Sequence, residues 1–455
     1  MTSQVGSEAP SGARPAWVGL IELGDGLSVQ GAVRAPTPED RLARVWARLH
    51  GVVLGSVEVP VVEGSIPPGA LTLALERDLA VPVRRHLEAE GVGVDGGSPI
   101  AAALASSRAC DLRDRAWDEA ISVVVATKDR SELIGATLAS LKGLGYREFE
   151  VLMVDGSRDQ STRRVFESVV GEDPRFRYVP EPPTGLSMAR NRGMAEARYD
   201  YCAFTDDDCV VDALWLDGIA RGFGRDPGVA CVTGIVPSAR LETLSQQYFD
   251  GRVWWSHSVE PRLYSAGRGP DDSPLHPFRA GIFGTGANFA LDRRVAGELG
   301  GFSRLLGVGS LCRGGGEDGD MFVRVLRSGR LLAYEPSALV WHEHRGSLEE
   351  LTAQLTEYGR GIAIVGLKWL ADPGTRGDVL RRVPGAVLYY ARLLFQRGYA
   401  GDSTRAPMAL AEAKGVLGGP LAFARGYRAL RRLEAGSTGP GRAGPWIAGA
   451  GARRR

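Results

Sequence analysis

The feature that most constrains this chain is an alternation of buried-type strands and helices between residues 120 and 206. Ile121 to Ala126 (ISVVVA) and Phe149 to Val154 (FEVLMV) are continuous apolar runs rich in β-branched residues. Runs of this kind are expected of strands covered on both faces, as in a parallel sheet. Between and after them, Ser131 to Leu144, Ser161 to Val170 and Leu186 to Ala197 space their apolar residues as helices do. Arg177 to Val179 and Tyr201 to Thr205 read as further strands. The alternation predicts an α/β fold with a mostly parallel sheet and helices on both faces.

In an open α/β sheet, ligands bind beyond the carboxyl ends of the strands. The first strand is followed by Thr127-Lys128-Asp129-Arg130 and the second by Asp155-Gly156-Ser157-Arg158-Asp159. The strand YCAFT is followed by Asp206-Asp207-Asp208. Parallel strands would bring all three clusters to one edge. Carboxylates crowded there repel one another unless a cation offsets them. Hard oxygen ligands and a phosphate-bearing substrate point to Mg2+ or Mn2+. The triple Asp leaves the register open, so Asp207 competes with Asp208 as ligand. Arg190 and Arg192, on the helix before that strand, offer guanidinium groups to phosphate.

Three segments further on carry chemistry of the same kind. Gly314-Gly315-Gly316 leads to Glu317-Asp318-Gly319-Asp320 and an apolar helix. A glycine run that delivers carboxylates suits a mobile active-site loop. The plainer reading of one of these acids is a helix cap. Trp341-His342-Glu343-His344 follows a strand at Ala338 to Val340, and alternation puts both imidazoles on one face. Gly284-Thr285-Gly286-Ala287-Asn288 permits close backbone approach to a substrate, or is a bare turn.

Taken together, these residues resemble glycosyltransferase family 2, whose members have the GT-A fold. The resemblance covers about Ile121 to Arg345. It runs through Val123 to Thr127, Asp155 with Ser157 and Asp159, Ala189 to Asn191 with Gly193, Asp206 to Asp208, Gly286 to Asn288, Glu317-Asp318 and His342. One departure is that Asp155 runs straight into Gly156-Ser157, where the family usually has one more residue. The resemblance implies an inverting, metal-dependent transferase that moves a sugar from a nucleotide-diphosphate-sugar, UDP-linked by expectation, to an acceptor hydroxyl that the sequence does not name. Thr127, Arg130, Asp155, Arg190, Asn191, Asp206 and Asp207 would meet the donor. Asp208 and His342 would bind Mn2+ or Mg2+. Asp318 would be the general base with Glu317 beside it, and Gly286, Asn288 and Trp341 would meet the acceptor.

Rival classes make different demands. A glycoside hydrolase needs two carboxylates but no metal or nucleotide pocket. A nucleotidyltransferase shares the sheet type but would carry a glycine-rich loop where Thr127-Lys128-Asp129-Arg130 stands. A nucleotide-sugar-binding protein without turnover is the remaining alternative.

The flanking regions are less informative. Residues 16–118 are expected to form a small α+β accessory domain, with strands at Leu42 to Leu49 and Val52 to Val59. A helix from Leu71 to Leu87 should break near Pro82. The catalytic domain is expected over 119–345 and a helical region over 346–434, opened by a Ser347/Glu350 capping box. Residues 1–15 and 435–455 are polar or Gly- and Arg-rich and are expected to be disordered. Lys and Arg number 55 against 54 Asp and Glu, which gives no support for nucleic-acid binding. Five cysteines without a CxxC pair argue against a disulfide framework. No signal peptide or spanning segment is expected. The expected location is the cytoplasm, with peripheral contact at the inner membrane face left open.

Overall fold

The computed structural model describes residues 15–94, 96–106, 118–267, 275–396 and 405–436. The termini expected to be disordered lie almost wholly outside them, as does Cys110. The first unit is a four-stranded sheet of β1 (Trp17–Glu22), β2 (Val29–Gly31), β3 (Leu42–Leu49) and β4 (Val52–Pro60), in the order β2-β1-β3-β4. Two helices, α1 (Pro68–Ala89) and α2 (Pro99–Ala105), accompany it. Leu71, Leu75, Leu79, Val83 and Leu87 of α1 lie in the same core as the inward residues of the sheet. Contrary to expectation, α1 runs through Pro82 without a break. The carbonyl that Pro82 leaves unbonded belongs to Asp78, which is exposed, so water can satisfy it.

The large sheet begins with β5 (Ile121–Thr127), α3 (Ser131–Lys142), β6 (Phe149–Asp155), α4 (Ser161–Val170), β7 (Phe176–Pro180), α5 (Leu186–Glu196) and β8 (Tyr201–Asp206). It continues through β9 (Cys209–Val211), α6 (Trp215–Phe223), β10 (Val229–Ile235), α7 (Leu244–Arg252), β11 (Arg262–Tyr264), β12 (Asn288–Asp292), α8 (Arg293–Glu298), α9 (Glu317–Arg327) and β13 (Leu331–His342). The strand order is β11-β13-β10-β12-β8-β5-β6-β7, with β9 paired to β13. β5, β6, β7 and β8 are mutually parallel, and so are β10 and β13. β12 runs antiparallel between β8 and β10, which makes the sheet mixed. This is a GT-A-type architecture. Every residue of β6 and β10 is buried, as their apolar runs require.

Three helices follow: α10 (Leu348–Ala371), α11 (Pro373–Gln396) and α12 (Arg405–Gly436). α10 opens on the Ser347/Glu350 capping box. Among the described residues no helix is long and apolar enough to cross a membrane.

Candidate active site

The parallel register sets the site. Thr127 at the end of β5 pairs with Asp155 at the end of β6, and Ala126 pairs with Asp206 at the end of β8. Asn288, the first residue of antiparallel β12, pairs with Thr205, so the Gly284–Ala287 turn reaches the same edge. His342 closes β13 and pairs with Cys209, one residue beyond the triple Asp.

The three aspartates have different surroundings. Asp207 turns inward: its carboxylate accepts from Thr127 Oγ1 and Arg130 Nη1, each at 2.7 Å. Burial pushes this carboxyl up to about 7, against the pull of Arg130. Asp208 accepts from Arg130 Nη2 at 2.8 Å and lies 3.2 Å from His342 Nε2. Burial alone would raise its pKa, but His342 and Arg130 outweigh that and hold it well below the usual carboxylate range. Asp206 is the most open of the three and accepts from Arg190 Nη2 at 3.1 Å. Burial raises its pKa, with Arg190 opposing. Asp206 is therefore the open member of the three, while Asp207 is anchored by Thr127 and Arg130, and Asp208, almost as enclosed, lies between Arg130 and His342.

Arg190 draws the distant acidic pair to the same place. Its Nη1 donates to Glu317 at 2.7 Å, and its Nη2 donates to Asp206 and, at 3.0 Å, to the Gly286 carbonyl. Glu317 is buried at the start of α9, and burial lifts its carboxyl to about 7 despite Arg190. Asp318 is half-buried and more open than Glu317. A methyl group on Gly286 would lie 3.1 Å from both Arg190 Nη2 and Asp318 Oδ2, so a side chain there would press on both groups by a few tenths of an ångström. Asp320 acts elsewhere. Fully buried, it binds Arg324, Lys368 and the Trp369 indole, tying α9 to α10.

Asp155 lines an open cleft of ≈ 580 Å³ with Ser157, Arg163, Tyr178, Glu181 and Pro182. Its carboxylate accepts from the Ser157 N–H at 2.8 Å and from the Tyr178 hydroxyl at 2.5 Å. Tyr178 carried no signal in the sequence beyond one aromatic on a short strand. Tyr358 was missed for a different reason, since it arrives on α10, outside the region of resemblance. It is 41% exposed and its ring packs against Phe249, and the nearby carboxylates of Asp318, Asp206 and Asp208 push its phenol above its usual pKa.

Five side chains expected to meet a ligand are engaged by the protein itself. Asn288, expected to meet the acceptor, is fully buried, accepts from the Trp215 indole and donates to the carbonyls of Ile235 and Ala338. Trp341 is likewise buried, in an apolar cluster with Trp46 and Val18 of the first unit. Asn191 spends both ends of its amide on the Phe302 backbone. Arg190 is buried with its donors committed to Glu317, Asp206 and Gly286, so it does not reach into the cleft itself. The Thr127 hydroxyl donates to Asp207.

The residues present fit a divalent cation. Asp208 Oδ1 and His342 Nε2 lie 3.2 Å apart. Two ligands at right angles on one ion of this size stand about 3 Å apart. Cys209 Sγ belongs to the same small group. The second imidazole, His344, meets His342 Nδ1-to-Nδ1 at 2.8 Å and packs on Phe249.

The mixed sheet and the acidic crevice at its strand ends define a GT-A-type fold. A family model, "Glycosyl transferase family 2", matches residues 122–290. The chain is 30% identical over 249 residues to the succinoglycan biosynthesis protein ExoM of Rhizobium meliloti, covering 53% of this chain and 73% of that protein. It is 28% identical over 253 residues to the pre-mycofactocin glycosyltransferase of Mycobacterium tuberculosis, covering 53% of this chain and 47% of that one. The match thus spans about half the length of the mycobacterial protein. Among solved structures, a Pyrobaculum calidifontis mannosyltransferase in complex with GDP-Man and Mn2+ matches with a TM-score of 0.41 and 18% identity, covering 72% of this chain and 81% of that one. The chain belongs to glycosyltransferase family 2.

Proposed function

We propose that the chain is an inverting, divalent-metal-dependent glycosyltransferase that moves a sugar from a UDP-type nucleotide-sugar to an acceptor hydroxyl. The observation that carries this reading is the convergence of Asp206, Asp208, His342, Glu317 and Asp318, from three distant parts of the chain, at one sheet edge beside the Asp155 cleft. In this reading the Asp155 cleft takes the nucleobase and ribose, with Tyr178 fixing the carboxylate that accepts a base N–H. Asp208 and His342 hold the metal, and Asp206 faces the diphosphate side. The imidazole favours Mn2+ over the harder Mg2+. A cation on this pair would offset the charge of the departing diphosphate. Asp318 takes the proton from the acceptor hydroxyl as its oxygen attacks the anomeric carbon from the side opposite the leaving group. General-base help of this kind is typically worth about 10² to 10⁴ in rate. Arg190 and Glu317 act by holding Asp206, Gly286 and Asp318 in register. Transfer resides in residues 119–345, with 16–118 and 346–434 as accessory and helical regions.

The test is a screen of nucleotide-sugars with and without Mn2+, read by calorimetry and by donor turnover. Asp208→Ala should lose metal-dependent donor binding. Asp318→Asn should keep donor binding and lose turnover. Donor binding that is equally tight in chelator would remove the metal from the reading. Turnover that survives Asp318→Asn would remove the base.

A further inference from the structure

The near-neutral total conceals a strong polarity. Residues 373–455 hold fifteen Lys and Arg against four Asp and Glu, which leaves forty against fifty in the first 372. Within this basic region, α12 has two unlike faces. Met408, Ala411, Gly415, Gly419 and Gly426 are buried on one face. Gly415 and Gly419 meet α10, and Gly426 meets Cys312. On the other face, at steps of three, four or seven residues, stand Leu410, Lys414, Leu417, Leu421, Arg428 and Arg432. Leu410 is 71% exposed, Leu417 82% and Leu421 58%. Lys414, Arg428 and Arg432 are exposed, and among the described residues no ion pair is found for them.

Three leucines held in water on one helix face are costly unless something covers them, since each gains about 1.5–3 kcal/mol on full burial. The cations on the same face say what covers them. A nucleic-acid backbone would take the arginines but not the leucines. The surface of a bilayer takes both, because leucines enter the acyl boundary while Lys and Arg reach the headgroups. We propose that the outer face of α12 docks this protein on a membrane surface bearing anionic lipid headgroups. The proposal stands on the helix and its charge, independently of the transferase reading. It also gives the docking helix a line to the site, because the residue that α12 packs against, Cys312, lies five positions before Glu317.

The experiment is vesicle cosedimentation of the full chain, with phosphatidylcholine alone and with added phosphatidylglycerol, across a salt series. Binding is expected only where phosphatidylglycerol is present and should weaken as salt rises. Replacing Leu417 and Leu421 by Gln should cut the partition at least tenfold. Replacing Lys414, Arg428 and Arg432 by Gln should cut it roughly fivefold per cation, on the order of a hundredfold in all. All five side chains lie on the outer surface, so unchanged thermal unfolding and nucleotide binding serve as the fold controls. No binding at low salt, equal binding to phosphatidylcholine alone, or variants that bind as the parent does would each overturn the proposal. So would capture of RNA or DNA that the cation variant abolishes and phosphatidylglycerol vesicles fail to compete away.

Discussion

Arg190 shows how one side chain joins parts of a site that the sequence leaves more than a hundred positions apart. Its fork spans Glu317, Asp206 and the Gly286 carbonyl, and it stacks near the rings of Phe289 and Phe302. A lysine keeps the charge but cannot bridge three acceptors from fixed directions. Arg190→Lys is therefore expected to fold and bind donor while turnover falls about 10²-fold through misplacement of the acidic groups. Arg190→Ala strands Glu317 as a buried acid and should cost about 3–5 kcal/mol in chemical unfolding. A second residue-scale test concerns His257, which lies 3.3 Å from Asp250. The ring is partly open to solvent, and its contacts with Asp250 shift its pKa upward. A His raised in the folded state stabilises fully below its unfolded value near 6.5, and that contribution fades as pH rises through the folded value. Thermal unfolding of the parent should therefore fall on going up from about pH 6.5, and His257→Gln should flatten that decline. A slope that is the same in both would mean that the pair contributes nothing.

At the scale of elements, what the sequence revealed follows from burial. β5, β6 and β8 were legible because strands covered on both faces must be apolar throughout, and their polar ends then stand out. The antiparallel insertion of β12 was not legible, since Asn288-Phe289-Ala290-Leu291-Asp292 reads equally as a turn and a short core segment. The same ambiguity hid the role of Asn288, whose amide ties three elements and thus mimics a ligand-facing residue in sequence. The register of the triple Asp depended on Arg130 and Thr127 drawing Asp207 inward, a tertiary fact. The packing of α10 on α12 was hidden as well, because it depends on what is missing from glycines. A methyl on Gly359 would overlap the Glu412 carbonyl, and one on Gly415 would overlap that of Thr356, so the two backbones meet directly. On its other side α10 places Ile364 and Val365 against Gly314 and Gly316, the run that carries Glu317. Gly415→Leu should push α12 away from α10 and cost at least about 1–3 kcal/mol as overpacking. Because the glycine run rests on α10, the same variant should lose turnover further than its fall in melting temperature accounts for. Normal turnover in a destabilised variant would uncouple the helices from the site.

At the scale of the whole molecule, the question is whether the first unit is an appendage or part of the core. Its sheet places Trp46, Val18 and Val53 in one apolar cluster with Ile235, Leu339 and Trp341 of the large sheet. Arg48 bridges Glu22 of its own unit to Asp212, and Arg44 reaches Asp250 at 2.7 Å. Arg34 adds Glu242. Trp341 immediately precedes His342, so the strand that presents the candidate metal ligand is covered from behind by this unit. Removing residues 1–118 would expose Ile235, Leu339 and Trp341, each worth about 1.5–3 kcal/mol when fully buried. It would also leave Asp212 and Asp250 without their arginines. A fragment of residues 119–455 is therefore expected to aggregate, or to melt well below the full chain and bind Mn2+ more weakly. The single variant Arg48→Ala should show the milder form, with a drop of about 3 kcal/mol if the buried charges it leaves go uncompensated. A soluble fragment with the melting temperature and metal affinity of the full chain would mean that the first unit only rides on the catalytic sheet.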